Sequence, residues 1–327
     1  MEDRISKIEL IVVKALRYST TVFVILLLNF LIPRLAPGDP IIYLLGEDVY
    51  DVSPEIIEEL RAEYGLDKPL YAQFTLYLLR LLNGDFGYSF SFGKPILEIL
   101  SVRIPLTLLL TVPSTLIGVV LGVYLGAIAG WRSYRFSRKI LGGIAIAVYS
   151  IPPYWFAMIL LLIFSLRLKL FPIGGAPSLS ADLSNLLSHI FLPTLTITVF
   201  TAAYNTLIMR GIVLGVSNEP FIITALSKGL RKTSFLNRHL LRPSLPALLA
   251  IIAIEFGFTF SGALLVEIAF SWPGMGLMLW EAMIARDYPL IQAIFTVSSF
   301  IVVSANLLAD ILCVIVDPRL RCSHAQP

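Results

Sequence analysis

Two stretches, Ile104–Gly130 and Ile140–Leu166, run for 27 residues each without a single charged side chain. A helix rises ~1.5 Å per residue, so either could cross a hydrocarbon layer of ~30 Å with length to spare. Four further apolar stretches accompany them: Tyr18–Ile32, Ile190–Met209, Leu245–Ser271 and Leu290–Val316. The first becomes long enough when residues 11–17 join it and Lys14 and Arg17 snorkel to the interface. With 57% hydrophobic and 14% charged residues against roughly a quarter charged in soluble domains, the chain reads as an all-α polytopic membrane protein with six transmembrane helices. No small-x-small cleavage site follows the first stretch, which is therefore expected to stay as an anchor.

Short-loop charges orient the spans. The segment Trp131–Lys139 holds four Lys or Arg and Arg210–Arg242 holds six, whereas Arg167–His189 has two and Trp272–Pro289 has one. The first pair is thus expected in the cytosol. Six spans then place both termini there, which fits Lys14 and Arg17 at one end and Arg319 and Arg321 at the other.

The expected organisation is a tail and first helix (1–33), an extracytoplasmic helical segment (34–100), a five-helix core (101–316) with a cytosolic loop (210–246), and a cytosolic tail (317–327). Segment 34–100 carries eleven acids against five Lys or Arg. In it, Ser53-Pro54 opens one predicted helix that Gly65 closes, and a second runs from Pro69 to Leu82 and stops at Asn83-Gly84. The sequence predicts a small helical cap outside the membrane, covering span ends or meeting an external partner. Pro113, Pro152-Pro153 and Pro193 interrupt apolar helices and should bend them. Gly118, Gly122, Gly126 and Gly130 recur every four residues and predict one smooth face for close helix contact.

Catalytic signatures are missing. There is no G-x-x-x-x-G-K-[ST] loop and no H-E-x-x-H, and His189, His239 and His324 are scattered. Cys313 and Cys322 cannot build a disulfide framework or a zinc site. The chain is therefore read as a non-enzyme that binds no cofactor or metal itself; any nucleotide used must sit on another chain.

The loop 218–246 offers more. Asn218 can cap a helix that opens with Glu219 and Pro220. Phe221, Ile222, Ala225 and Leu226 fall on one apolar face, and Gly229 supplies a stop. A lipid interface or a groove on a partner protein could bury that face.

Thr224-Ala225-x-x-x-Gly229, the basic stretch after it and Leu245-Pro246 resemble the EAA loop of ABC importer membrane subunits. Further stretches resemble the dipeptide/oligopeptide and nickel permease family in its B-type subunit. They are Arg34-Leu35-Ala36-Pro37-Gly38-Asp39-Pro40, Tyr64-Gly65-Leu66-Asp67-Lys68-Pro69-Leu70, Gly84-Asp85-Phe86-Gly87, Glu267–Gly276, Ala285-Arg286-Asp287-Tyr288-Pro289 and Asp317-Pro318-Arg319. The resemblance implies a permease subunit of an ATP-driven importer of di- or oligopeptides working by alternating access, with nickel chelates or oligosaccharides as alternative cargo. It implies as partners a paralogous C-type permease, two ATPase subunits carrying ATP and Mg, an extracytoplasmic binding protein and the lipid bilayer; no nucleic acid is expected.

Carried over, the segment Glu219, Phe221, Ile222, Thr224, Ala225, Leu226 and Gly229 would be the coupling helix that enters a cleft on an ATPase. Lys228, Arg231 and Lys232 could pair with carboxylates there or form a solvated face. Ile223 and Leu226 stand where the family often carries charge, so the contact should be mainly hydrophobic. Among the intramembrane acids, Asp310, four residues after Asn306, is read as an interhelical hydrogen-bonding group. Glu267 could line an outer vestibule or cap local backbone, and Glu255 could face the translocation path or hold helices together. An ion-coupled secondary transporter is the rival class; it would need mid-span titratable groups, and only Glu255 is well placed.

Overall fold

A computed structural model describes residues 2–35, 53, 58, 67–131, 135–177, 182–217, 219–227, 232–241, 244 and 263–316. The described residues form helices joined by short turns and loops, with one two-stranded hairpin. It separates into two compact units, Met1–Pro105 with Met278–Val303, and Leu106–Leu277 with Ser304–Pro327. Among the described residues, three helical stretches are long and apolar enough to cross a membrane: Ile96–Gly130, Leu183–Val216 and Tyr288–Leu308. Lys139–Tyr149 with Pro153–Arg167 makes a fourth if the bent pair is one span. Of the six expected spans, the first has a shorter apolar stretch, Ala15–Leu31, and Leu245–Ser271 lies mostly outside the described residues.

In the first unit, α1 (Glu2–Leu35) is followed by α2 (Leu70–Leu82). Pro69 precedes α2 and Asn83 ends it, within one residue of the sequence expectation. The helix lies alongside α1: the Phe74 ring meets Phe30 at 5.1 Å and Phe23 at 6.0 Å, and Tyr77 meets Phe30 at 5.8 Å. At the end of α1, Arg34 donates from Nε to Gln73 Oε1 (3.0 Å) and from a terminal nitrogen to the Phe30 carbonyl (2.9 Å), with its guanidinium 3.7 Å from the Phe30 ring. Burial lowers the Arg34 pKa to about 10, so the side chain remains charged at neutral pH. The Tyr77 hydroxyl shares a 3.0 Å hydrogen bond with Thr296, which also receives Asn29 Nδ2 at 3.4 Å.

A hairpin follows, β1 (Tyr88–Ser89) antiparallel to β2 (Lys94–Pro95), with Tyr88 opposite Pro95. Gly84 and Gly87 approach it with φ of 74° and 84°, which a side chain would strain. The hairpin turn is held by Asp287. Its Oδ2 accepts from Ser89 Oγ (2.6 Å), Ser91 Oγ (2.7 Å) and the Ser91 backbone (3.1 Å), while Oδ1 accepts from the Leu290 backbone (3.1 Å). One buried carboxylate therefore caps α10 (Tyr288–Val316) and anchors the hairpin.

The second unit contains most of α3 (Ile96–Gly130) and all of α6 (Leu183–Val216), which meet along the predicted glycine face. A Cβ on Gly118 would lie 2.6 Å from Thr201 Cβ; on Gly122, 2.5 Å from Asn205 Cβ; on Gly126, 2.7 Å from Met209 Cβ; on Gly130, 2.8 Å from Val213 Cβ. Two hydroxyls cross the same seam, Thr198 donating to the Ser114 carbonyl (3.2 Å) and Thr206 to that of Gly122 (3.4 Å).

The expected third span is broken. Helix α4 (Arg135–Tyr149) turns 93° at residues 150–152 into α5 (Pro153–Leu160), which continues as a π-helical turn over Leu161–Arg167. Pro153 cannot donate to the preceding turn, and Pro152 biases Ile151 away from the helical region. Contacts with α6 show that the pair crosses rather than doubles back. The Arg210 guanidinium covers Gly142, Tyr149 meets Tyr204 (5.7 Å), Phe156 meets Phe200 (5.6 Å), and Phe171 stacks on Phe191 at 4.9 Å. From Arg210 to Phe191 is ~28 Å of helix at ~1.5 Å per residue, about one hydrocarbon thickness.

Candidate functional site: the loop helix and the buried acids

After α6 the chain turns through Ser217, whose hydroxyl donates to the Val213 carbonyl (2.6 Å), and Glu219, whose N–H bonds the Val216 carbonyl (3.0 Å). Helix α7 (Pro220–Ser227) begins there. Proline suits that first position because its missing N–H would have no partner in the helix. Helix α8 (Lys232–Phe235) and a π-helical turn, Leu236–Leu241, follow.

Ile222 and Ala225 are buried, 2% and 4% exposed, against this chain's own residues. They join one apolar cluster with Ala127 and Trp131 at the end of α3, Met209 and Val213 of α6, and Phe235, Leu236 and Leu240 beyond the loop. Trp131 stacks on Phe235 at 5.1 Å, closing the cluster. The sequence put Phe221, Ile222, Ala225 and Leu226 on one face for a lipid interface or a partner's cleft; of these, Ile222 and Ala225 are covered by the chain itself. At ~100° per residue these four span an arc of ~140°, with Ala225 and Ile222 in its middle and Phe221 at its edge. The bundle takes the middle. Phe221 (45% exposed), Thr224, Ser227, Glu219 and Pro220 face outward. The side chain of Leu226, the side chain of Lys232, and residues Lys228, Gly229 and Arg231 lie outside the described residues.

Of the two readings of Glu267, vestibule acid or local backbone cap, its contacts are those of the second. It is fully buried at the end of the helical residues 263–269. Oε1 accepts from Thr107 Oγ1 (2.7 Å); Oε2 accepts from the backbone N–H of Gly276 (2.6 Å) and Leu277 (3.3 Å). Thr107 Oγ1 in turn accepts from the Met275 N–H at 2.7 Å. These three N–H groups are the otherwise unpaired donors at the start of α9 (Met275–Ile284), so the carboxylate serves as a helix cap. Trp272 closes the turn by donating from Nε1 to the Leu106 carbonyl (3.0 Å). A Cβ on Gly274 would run into the carboxylate, and one on Gly276 would meet Leu264 Cα at 2.5 Å, which accounts for the glycines of EIAFSWPGMG. Glu255 lies outside the described residues, as does the side chain of Asp310.

Asp287, Ser89 and Thr107 were not singled out as functional residues in the sequence. Asp287 had a readable signal, an Asp ahead of Tyr288-Pro289 at a helix start. Its hairpin partners, 196 and 198 positions away, had none. Among the described residues no group of three His, Cys, Asp or Glu could hold a metal ion.

The family model described as "Binding-protein-dependent transport system inner membrane component" matches residues 118–321, and the N-terminal model for such membrane components matches residues 8–111. The chain is 34% identical to the oligopeptide transport system permease protein AppB of Bacillus subtilis, over 91% of this chain and 94% of that one. It is 34% identical to the probable peptide ABC transporter permease protein y4tP of Sinorhizobium fredii (89% and 92%) and 33% identical to the glutathione transport system permease protein GsiC of Escherichia coli K12 (92% and 95%). A solved structure of the MetNI methionine ABC transporter in inward-facing conformations has the same fold, with a TM-score of 0.57 and 15% identity over 67% of this chain and 97% of that one.

Proposed function

Because the chain belongs to the family of inner membrane components of binding-protein-dependent transport systems, we propose that it is the permease subunit of an ATP-driven ABC importer of di- or oligopeptides. It is a multi-pass membrane protein, and in this reading its basic loops face the cytosol of a cytoplasmic membrane. It forms the pathway with a paralogous permease, receives cargo from an extracytoplasmic binding protein and is driven by two ATPase subunits that carry ATP and Mg. The peptide cargo rests on the named relatives, which are permeases for peptide, oligopeptide and glutathione transport.

The observation that carries the reading is the geometry of α7: one face fused to the ends of α3 and α6, the other presenting Phe221, Thr224 and Ser227 outward. A helix held this way can receive force from a partner without dissipating it in its own loop. Phe221 supplies the apolar contact, with Glu219 at the rim. Crosslinking tests this directly. Thr224→Cys should form an adduct with a cysteine placed in the ATPase cleft, in a yield that changes on ATP binding; an adduct absent in every nucleotide state refutes the coupling role. Proteoliposome uptake of a labelled dipeptide should require ATP. Uptake that persists without ATP and stops with an uncoupler would favour an ion-coupled carrier.

A further inference from the structure

We propose that α2 (Leu70–Leu82) is sunk into one leaflet of the bilayer, against α1, with the stripe Tyr71, Thr75, Leu79 and Leu82 facing acyl chains. The depth is set by ring contacts. Arg34 ends the uncharged run of α1, and Phe30 and Phe23 lie ~6 Å and ~16 Å further in along the helix. Phe74 of α2 packs against both rings, so this helix lies beside the apolar part of α1 and not beyond its end. On the contact side, Gln73 meets Arg34 and Tyr77 meets Thr296, which satisfies the polar groups turned inward.

The opposite side is apolar, and among the described residues nothing covers it. Tyr71, Leu79 and Leu82 are 76%, 52% and 84% exposed, spaced with Thr75 at the i, i+4, i+8, i+11 rhythm of one helix face. The Thr75 hydroxyl is already donated to the Tyr71 carbonyl at 2.9 Å, and the Tyr71 phenol sits at the end of the stripe nearest the polar Asp67-Lys68. Phe23, Val24 and Leu28 of α1 are likewise about half exposed, and the α2 stripe extends that apolar surface. What covers a spanning helix's outer surface at this depth is lipid, and the stripe is its continuation. The charges agree with this placement. Asp67-Lys68 precede the helix, Asn83-Gly84-Asp85 follow it, and Arg80 is close enough to the latter end to reach the headgroups. A helix with polar ends and an apolar flank lies obliquely in the interfacial zone.

Site-directed spin labelling of the assembled transporter in phospholipid vesicles tests the placement, in a Cys313→Ser, Cys322→Ser background. Labels at Leu79→Cys and Leu82→Cys should relax strongly with oxygen and weakly with a soluble nickel chelate, giving an accessibility ratio several-fold above that of Asp85→Cys. A ratio equal to that at Asp85 would place the stripe in water and overturn the proposal. Low access to both reagents would mean that protein and not lipid covers it, with the same consequence. Quenching of a Leu79→Trp emission by lipids brominated along the acyl chain gives an independent reading, and absence of quenching also overturns it.

Discussion

Substituting Gly122 by alanine adds one methyl group at the tightest point of the α3–α6 seam. That Cβ would sit 2.5 Å from Asn205 Cβ and 2.7 Å from the Ala202 carbonyl oxygen, against ~3.5–4.0 Å for an ordinary carbon contact. Because the second clash is with backbone, no rotamer relieves it, and the helices must separate by about 1 Å. Overpacking of this kind costs ~1–3 kcal/mol. Separation also breaks the Thr206 hydrogen bond to the Gly122 carbonyl, worth about 1 kcal/mol. Alanine's better helix propensity returns up to ~1 kcal/mol. The net expectation is a loss of about 2 kcal/mol. Gly143→Ala is the matched control, since a Cβ there meets nothing within 4 Å and only the propensity gain remains. Thermal unfolding of the two variants in nanodiscs should therefore move in opposite directions, several degrees down for Gly122→Ala and level or slightly up for Gly143→Ala. Equal shifts, or a stabilised Gly122→Ala, would refute the reasoning that backbone contact fixes this seam.

Other substitutions separate neighbouring roles. Ile222→Asp places an unpaired charge in the cluster around Trp131 and should lower the unfolding midpoint markedly, whereas Phe221→Glu should leave the midpoint unchanged and reduce co-purification of ATPase subunits; the reverse pattern would invert the two faces of α7. Glu267→Gln removes the negative charge from the cap of α9 while keeping its size, with an expected cost of ~1–3 kcal/mol in chemical unfolding; an unchanged unfolding curve would show the charge to be idle. Asp287→Ala should free the hairpin, seen as faster amide exchange over residues 88–95 with little change in α3; unaltered exchange would mean that strand pairing alone holds it.

Local chemistry made part of this molecule readable in advance. Pro69 and Asn83-Gly84 bracket α2 because each acts on its own backbone. The four-residue glycine repeat names its own face, and α6 fills it. Pro152-Pro153 announces a bend, although the 93° angle and the π-helical turn beyond it depend on packing against α6. What could not be read was which of two apolar surfaces wins. On α7 the residue types allow a broad face, and only the tertiary cluster selects Ile222 and Ala225 for the interior. The same holds for α2, which has a cap's sequence position and packs along Phe23 and Phe30. Thr107 and Glu267 are 160 positions apart, a separation at which no spacing rule operates.

The sharing of one apolar cluster by α7 and the ends of α3 and α6 has a mechanical corollary. Its members Met209 and Val213 are also the residues that fill the Gly126 and Gly130 notches. A crank whose pin is seated in the same bearing as its shaft has no slack. If Pro220–Ser227 is the coupling helix proposed above, a tilt there would bear directly on the Gly126 and Gly130 end of the α3–α6 seam, through Met209 and Val213.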